Sequence, residues 1–373
     1  MSPIRILHIV SNMQQGGIEN FIMNIYRNID KNKYQFDFLV HYKKSFYFDD
    51  EIIRLGGNIY RLSFMEDKNL LKYCKELDYF FKENATKYQI VHAHMGSLGG
   101  IYLRYAKKYN IPIRIAHSHG ASHLNTIKGY TKYFLNKGFK YNATHLWACS
   151  TEAGRYMYGK KSFEFIPNTI DYKLFFFNQK YRNEIRAAYN IDKNTYVLGN
   201  VGRLNLQKNH IFLIKVLKEL KNRDLKNKYK LMIIGTGELE NKIKKEIQKN
   251  GLIDSVVLVG VRKDVEKFYS AFDMLIMPSL FEGLPLTGVE AQISGVRCLF
   301  ADSITREVSI SDNALFFSLK ENERKWAEFI MNNINYERKG NISFDNTFDL
   351  KRCVSEMENR YDNLLEEVKN EAK

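Results

Sequence analysis

The chain has 373 residues, 45% of them hydrophobic and 27% charged, with a formal net charge of +15. That length exceeds one ordinary hydrophobic core and suits two domains, while only five prolines and no repeated or Gly/Ser-rich tract argue against a disordered or solenoid chain. Cys74, Cys149, Cys298 and Cys353 are far apart and form no CxxC pair, and no apolar run nears the ~20 residues of a bilayer span, so the expected setting is the reducing cytoplasm, with membrane contact at most peripheral.

In chain order, "IRILHIV" (Ile4 to Val10) reads as a buried strand rather than a secretory leader. A helix follows, with Ile18, Phe21, Ile22, Ile25 and Ile29 on one face. Then come "QFDFLV", "NIYRL", a helix over about Leu70 to Glu83, "QIVHAH", a helix over about Leu98 to Lys108, "IRIAHSH", "THLWACS" and "EFIPN". The second half repeats the alternation: "YVLGNVGRL", a helix over about His210 to Lys221, "YKLMIIG", a helix over about Leu239 to Lys249, "SVVLVG", a helix over about Asp264 to Ala271, "DMLIMPS", a helix from about Leu284 to Ser294, and "VRCLFA". Short crossovers between strands imply an α/β fold with parallel sheets covered on both faces. Two Rossmann-like domains are expected, residues 1–172 and 173–352, with a C-terminal helix over 353–373 returning to the first; ligands should bind at the carboxyl ends of strands, in a cleft between the two.

The charge is concentrated in the first half. Residues 1–180 hold 26 Lys+Arg against 14 Asp+Glu, and no acid lies between Glu83 and Glu152. Inside that window "KGYTKYFLNKGFKY" interleaves Lys128, Lys132, Lys137 and Lys140 with aromatics, a pattern that suits an anionic membrane surface or a pyrophosphate lipid. A solvated helix explains it equally, and no nucleic-acid motif accompanies the charge, so no nucleic acid is expected as a partner.

Three loops suggest chemistry. Gly16 and Gly17 close the first strand and open the first helix, where backbone N–H groups can hold a phosphate; Glu19 there reads as dipole compensation. "QQGGIENF" and "GTGELE" both lack a complete GxGxxG, so no dinucleotide site is expected. Arg203 and Lys208 in "VGRLNLQKNH" can converge on a diphosphate. In "FEGLPLTGVE", Pro285 fits the first turn of a helix starting near Leu284. Glu282 and Glu290 are then roughly 12 Å apart along the backbone. That is wide for a shared acid/base pair at ~5–9.5 Å and apt for gripping two parts of one extended ligand.

"GGIE", "HSHG", "IPNTID", "GRLNLQKNH", "GTGELE" and "FEGLPLTGVEAQISG", in this order, resemble the retaining nucleotide-sugar glycosyltransferases of family 4, which have the GT-B fold. The similarity spans nearly the whole chain. Thr169 stands where that family usually has glycine and Arg297 where proline is usual, both outside the proposed contacts.

The resemblance implies that Arg203 and Lys208 neutralise the donor diphosphate, that Glu282 binds hydroxyls of the transferred sugar, and that Glu290 binds the ribose. Gly16 and Gly17 would approach the phosphates, backbone groups at Val261 and Arg262 would hold the base, and Gly283, Leu284, Leu286 and Thr287 would line the donor. One histidine of "HSH" would touch the transferred sugar: strand alternation is expected to turn only one toward the cleft, with His117 favoured and His119 left to the acceptor side. No D-x-D motif and no His/Cys spacing for a metal occurs, so the expectation is metal-independent chemistry without a cofactor, using a UDP-sugar donor and a saccharide acceptor carried on a polyprenyl diphosphate. A UDP-sugar epimerase of the same fold and a non-catalytic partner subunit stay open at this point.

Overall fold

The computed structural model describes residues 2–120, 138–338 and 344–371. The chain divides into two units, Met1–Thr169 with Thr347–Lys373, and Ile170–Asn346. The first holds β1 (Ile4–Ile9), β2 (Tyr34–Val40), β3 (Ile59–Arg61), β4 (Tyr88–Ala93), β5 (Ile113–Ser118), β6 (His145–Ala148) and β7 (Glu164–Phe165). The second holds β8 (Thr195–Val201), β9 (Lys228–Ile234), β10 (Val256–Gly260), β11 (Met274–Met277), β12 (Arg297–Ala301) and β13 (Ala314–Phe317). Each sheet is all parallel, ordered β3-β2-β1-β4-β5-β6-β7 and β10-β9-β8-β11-β12-β13. Both orders reverse direction after the unit's first strand, and that reversal opens a crevice at the strands' carboxyl ends.

Strand alternation gives each face of the first sheet its own core. Ile6, Phe36, Phe38, Ile90, Ile115 and Trp147 pack under the helices Gly17–Asn28 and Leu350–Glu371, the latter burying Cys353, Val354, Met357, Tyr361, Leu364 and Leu365. Leu7, Leu39, Val91, Ala116 and Ala148 face the other way, onto Tyr73, Leu77, Phe81, Tyr102 and Leu103. The C-terminal helix starts at Leu350 and belongs to the first unit. Burying a large apolar side chain of this kind stabilises by roughly 1.5–3 kcal/mol.

The alternation of strands and helices follows the sequence reading, with boundaries moved by one or two residues. "EFIPN" supplies only the two-residue β7. Several elements had no counterpart in that reading, among them the helices Asp49–Arg54, Thr151–Tyr158, Gln179–Ala188 and Glu323–Asn333 and the strand β13.

Candidate active site

In the second unit, β8 and β11 are neighbours, and the loops after them meet. Leu280 N–H donates to Gln207 O at 2.8 Å and Gln207 Nε2 donates to Phe281 O at 3.0 Å, so the "LNLQKNH" loop is stitched to "LFEGLP". This stitching sets Lys208 Nζ 2.6 Å from Glu282 Oε1, with the two side chains only 14% and 8% exposed, and Gln207 Nε2 donates to the other carboxylate oxygen at 3.1 Å. Two residues assigned by the sequence to different parts of a ligand hold each other here.

Space for Lys208 comes from Gly202, where a Cβ would lie 2.8 Å from the lysine Cε. The "GTGELE" glycines serve close packing. A Cβ on Gly235, at φ +135°, would sit 2.0 Å from Gly202 O, and one on Gly237 2.4 Å from Leu204 O. Arg203 stands at the surface, 73% exposed, 3.5 Å from Glu238.

The helix after Glu282 runs Leu286–Ile293, two residues later than expected, and Pro285 is its cap rather than a first-turn residue. Pro285 is extended (φ −78°, ψ 99°), and its carbonyl accepts from Gly288 N–H at 2.9 Å, so its fixed φ closes the loop before the helix begins. Gly283 has open space where a side chain would be. Glu290, one turn into the helix, is half-buried with its carboxyl turned inward, where Tyr269 Oη donates to Oε2 at 2.6 Å. Burial pushes the Glu290 carboxyl up to about 7; the Tyr269 hydrogen bond pulls against this, and nearby Glu266 adds to it. Val261 is exposed just after β10, and Arg262 is held by both carboxylate oxygens of Asp264 at 2.9 Å.

In the first unit, Gly16 caps the helix Gly17–Asn28 in an extended conformation. Glu19 is half-buried and folds back so that its Oε2 would lie 2.4 Å from a Cβ on Gly16. Its carboxylate, with a pKa raised by burial, already stands at the helix start.

His117 and His119 require a correction. Residues two apart on a strand share a face, so alternation does not separate them: their ring centroids are 4.0 Å apart and both rings meet Phe21. His117 has no exposed surface, whereas His119, just beyond β5, is half-buried. The sequence reading also missed their companions. "HAH" ends β4 as "HSH" ends β5, and the two pairs meet: His94 Nδ1 lies 2.7 Å from His119 Nε2 and His92 Nε2 3.1 Å from His117 Nδ1. His8 Nδ1 reaches His94 Nε2 at 3.0 Å, and Tyr361 Oη reaches His92 Nδ1 at 2.8 Å. Two H-x-H pairs at the ends of strands in one sheet were the available signal. Nitrogens of His8, His92 and His94, and of His94, His117 and His119, lie within 4.8 Å of one another, which a metal ion could span. They are instead engaged with each other through four hydrogen bonds that include Tyr361, with no thiolate or carboxylate in either group. Burial holds His8 and His119 down to about 3 and His92, His94 and His117 well below the ordinary histidine value, so all five are neutral near pH 7.

Of the basic window, Lys128, Lys132 and Lys137 lie outside the described residues. The Lys140 ammonium donates to Tyr158 O at 3.0 Å, Lys108 pairs with Asp78 at 2.5 Å, and Arg114 donates to the carbonyls of Ile111, Pro112 and Asn142. These three cations tie the unit's own elements together.

Solved structures share this architecture, among them a Rickettsia africae glycosyltransferase (TM-score 0.77, 16% identity, covering 98% of this chain and 99% of that one) and Anabaena HepE in complex with UDP and glucose (0.75, 15%, 96% and 99%). The fold is therefore that of the GT-B glycosyltransferases. Within that class the chain belongs to family 4: residues 15–174 match the model for glycosyltransferase family 4 and residues 181–335 that for glycosyl transferases group 1. A Bacillus subtilis protein named "Putative glycosyltransferase EpsF" is 35% identical over 338 residues, covering 88% of this chain and 87% of its own. An Escherichia coli UDP-Gal:α-D-GlcNAc-diphosphoundecaprenol α-1,3-galactosyltransferase is 27% identical over 244 residues, 63% of each chain.

Proposed function

We propose that the chain is a retaining, metal-independent transferase that moves a hexose or N-acetylhexosamine from a UDP-sugar to a saccharide on a polyprenyl diphosphate, in capsule or exopolysaccharide synthesis at the inner face of the plasma membrane. The observation that carries this reading is the buried Lys208–Glu282 pair at the crevice of the second sheet, flanked by Arg203 and by the Glu290–Tyr269 bond. The E. coli relative supports the donor and the lipid-linked acceptor by its name. A peripheral location is compatible with there being no described helix long and apolar enough to cross a membrane.

In this reading the donor diphosphate draws Lys208 off Glu282. The freed carboxylate accepts hydrogen bonds from sugar hydroxyls, and Glu290, as a carboxylate, accepts them from the ribose. The bond from the sugar anomeric carbon to the phosphate oxygen breaks, and Arg203 and Lys208 stabilise the charge that grows on the leaving UDP. The acceptor hydroxyl forms the new bond on the same face and gives its proton to the departing phosphate oxygen. Two cations and backbone N–H groups do the work that a D-x-D-bound metal does elsewhere.

The test is a screen of UDP-sugars for UDP release, with and without undecaprenyl-diphosphate saccharides. Release that depends on the acceptor and disappears in Lys208→Ala supports the reading. Release without acceptor, or none with any donor, sinks it.

A further inference from the structure

Five histidines of the first unit, His8, His92, His94, His117 and His119, form two chains running along the same face of the sheet as the Ile6–Ile90–Ile115 core. One is His8 Nδ1···Nε2 His94 Nδ1···Nε2 His119. The other is Tyr361 Oη···Nδ1 His92 Nε2···Nδ1 His117. Each bond between two neutral rings needs one nitrogen to carry the proton and the other to offer a lone pair, so fixing one end of a chain fixes all of it.

The inner ends are fixed by what surrounds them. Tyr361 is 1% exposed, and the sole hydrogen-bond partner of its hydroxyl among the described residues is His92 Nδ1. A buried O–H must donate, so Nδ1 accepts and His92 carries its proton on Nε2. His92 then donates to His117 Nδ1, and the His117 proton lies on Nε2. At the other inner end His8 Nε2 has no partner and the ring lies against Phe36 at 4.2 Å and Phe38 at 5.7 Å. One end of this chain must carry an unpaired N–H, and that costs more at His8, 2% exposed among aromatic rings, than at His119, which is half-buried just beyond the strand. His8 therefore donates from Nδ1 to His94, and His94 donates from Nδ1 to His119 Nε2.

Both chains thus point the same way and leave two free donors at the end of β5. His117 Nε2 and His119 Nδ1 are buried and unpartnered among the described residues. We propose that Tyr361 and His8 are positioning residues which, through His92 and His94, hold His117 and His119 in the tautomers that leave an N–H, the form from which a sugar oxygen accepts, on the unpartnered nitrogen of each ring at the end of this sheet. The relay to His117 starts on the C-terminal helix, 269 residues beyond His92. The role toward sugar rests on the transferase reading, whereas the tautomers do not.

Long-range proton–nitrogen correlation on the histidine-labelled full chain reads the tautomers without any substrate. The expected pattern is Nε2–H for His92 and His117, and Nδ1–H, the minor form of a free histidine, for His8, His94 and His119. Tyr361→Phe removes the group that decides the direction of that chain, so the His117 proton should distribute between Nδ1 and Nε2, and kcat/KM for the UDP-sugar should fall about tenfold, while UDP affinity by calorimetry stays within about twofold. Wild-type His119 protonated on Nε2, His117 nitrogen shifts unchanged in Tyr361→Phe, or stoichiometric zinc uptake that shifts all five rings would each overturn the proposal. If no UDP-sugar turns over but the tautomer pattern holds, the transferase reading fails and the relay stands.

Discussion

The two units place polar groups at the same point of the same strand order, yet with opposite electrostatics. In the second, the crevice beside β8 and β11 holds a close ion pair, and the helix that follows holds an inward-turned carboxyl whose pKa burial raises. In the first, the corresponding crevice beside β1 and β4 holds neutral imidazoles that hydrogen-bond to one another. The contrast teaches how one scaffold divides labour. Under the proposed function, a site for a nucleoside diphosphate needs charge, kept paired until the ligand arrives, whereas a site for sugar hydroxyls would need oriented donors without charge, and burial is what keeps these histidines neutral.

The contrast is tested hardest at Lys208 and Glu282. Lys208→Ala or Glu282→Ala should lower kcat by roughly 100-fold or more, because each strands a buried partner charge and, in the proposed function, removes a ligand contact; UDP release measures it, and near-normal turnover would break the assignment. Next is Gly235→Ala, where both φ and the Gly202 carbonyl reject a Cβ. It should cost about 3 kcal/mol of stability in denaturant melts, and a neutral effect would mean the two loops are not packed as described.

A gentler test uses pH. Glu290 is raised to about 7, so its carboxylate, which would accept from ribose in the proposed function, is present above that pH and lost below it. UDP affinity by calorimetry should fall as pH drops through 7, approaching tenfold per unit, and Tyr269→Phe, which removes a bond favouring the carboxylate, should move the fall to higher pH. The sign for stability is opposite: between about 4.5 and 7 the folded chain holds a proton that the unfolded chain releases, so this group's contribution declines as pH rises through that window. The smallest effect belongs to Arg203→Ala. Its exposed pair with Glu238 should be worth under ~0.5 kcal/mol to stability, while UDP affinity drops about tenfold through the lost charge-assisted contact.

Much of this was legible in the sequence, for identifiable reasons. Local signals carried the fold, because β-branched runs separated by amphipathic helices of 10–15 residues admit few other arrangements. The candidates Arg203, Lys208 and Glu282 could be picked out because each sits in a loop just beyond a strand. Contacts between distant segments were not. Nothing local shows that Lys208 rests on Glu282, that Tyr269 reaches Glu290, or that His8, His92 and Tyr361 converge on "HSH". The Pro285 error was of another kind: a proline fits both a cap and a first turn, and only the carbonyl bond to Gly288 decides. For His117 and His119 the periodicity was available and was misapplied, since a spacing of two keeps side chains on one face.

The return of the C-terminal helix has a consequence for synthesis. A ribosome completes every strand of the second unit before it makes Leu350–Glu371, while the first unit's sheet, translated earlier, still lacks the helix that covers Phe36 and Trp147. The segment made first is thus the last to become native, and losing the final two dozen residues would injure the half of the chain where translation began.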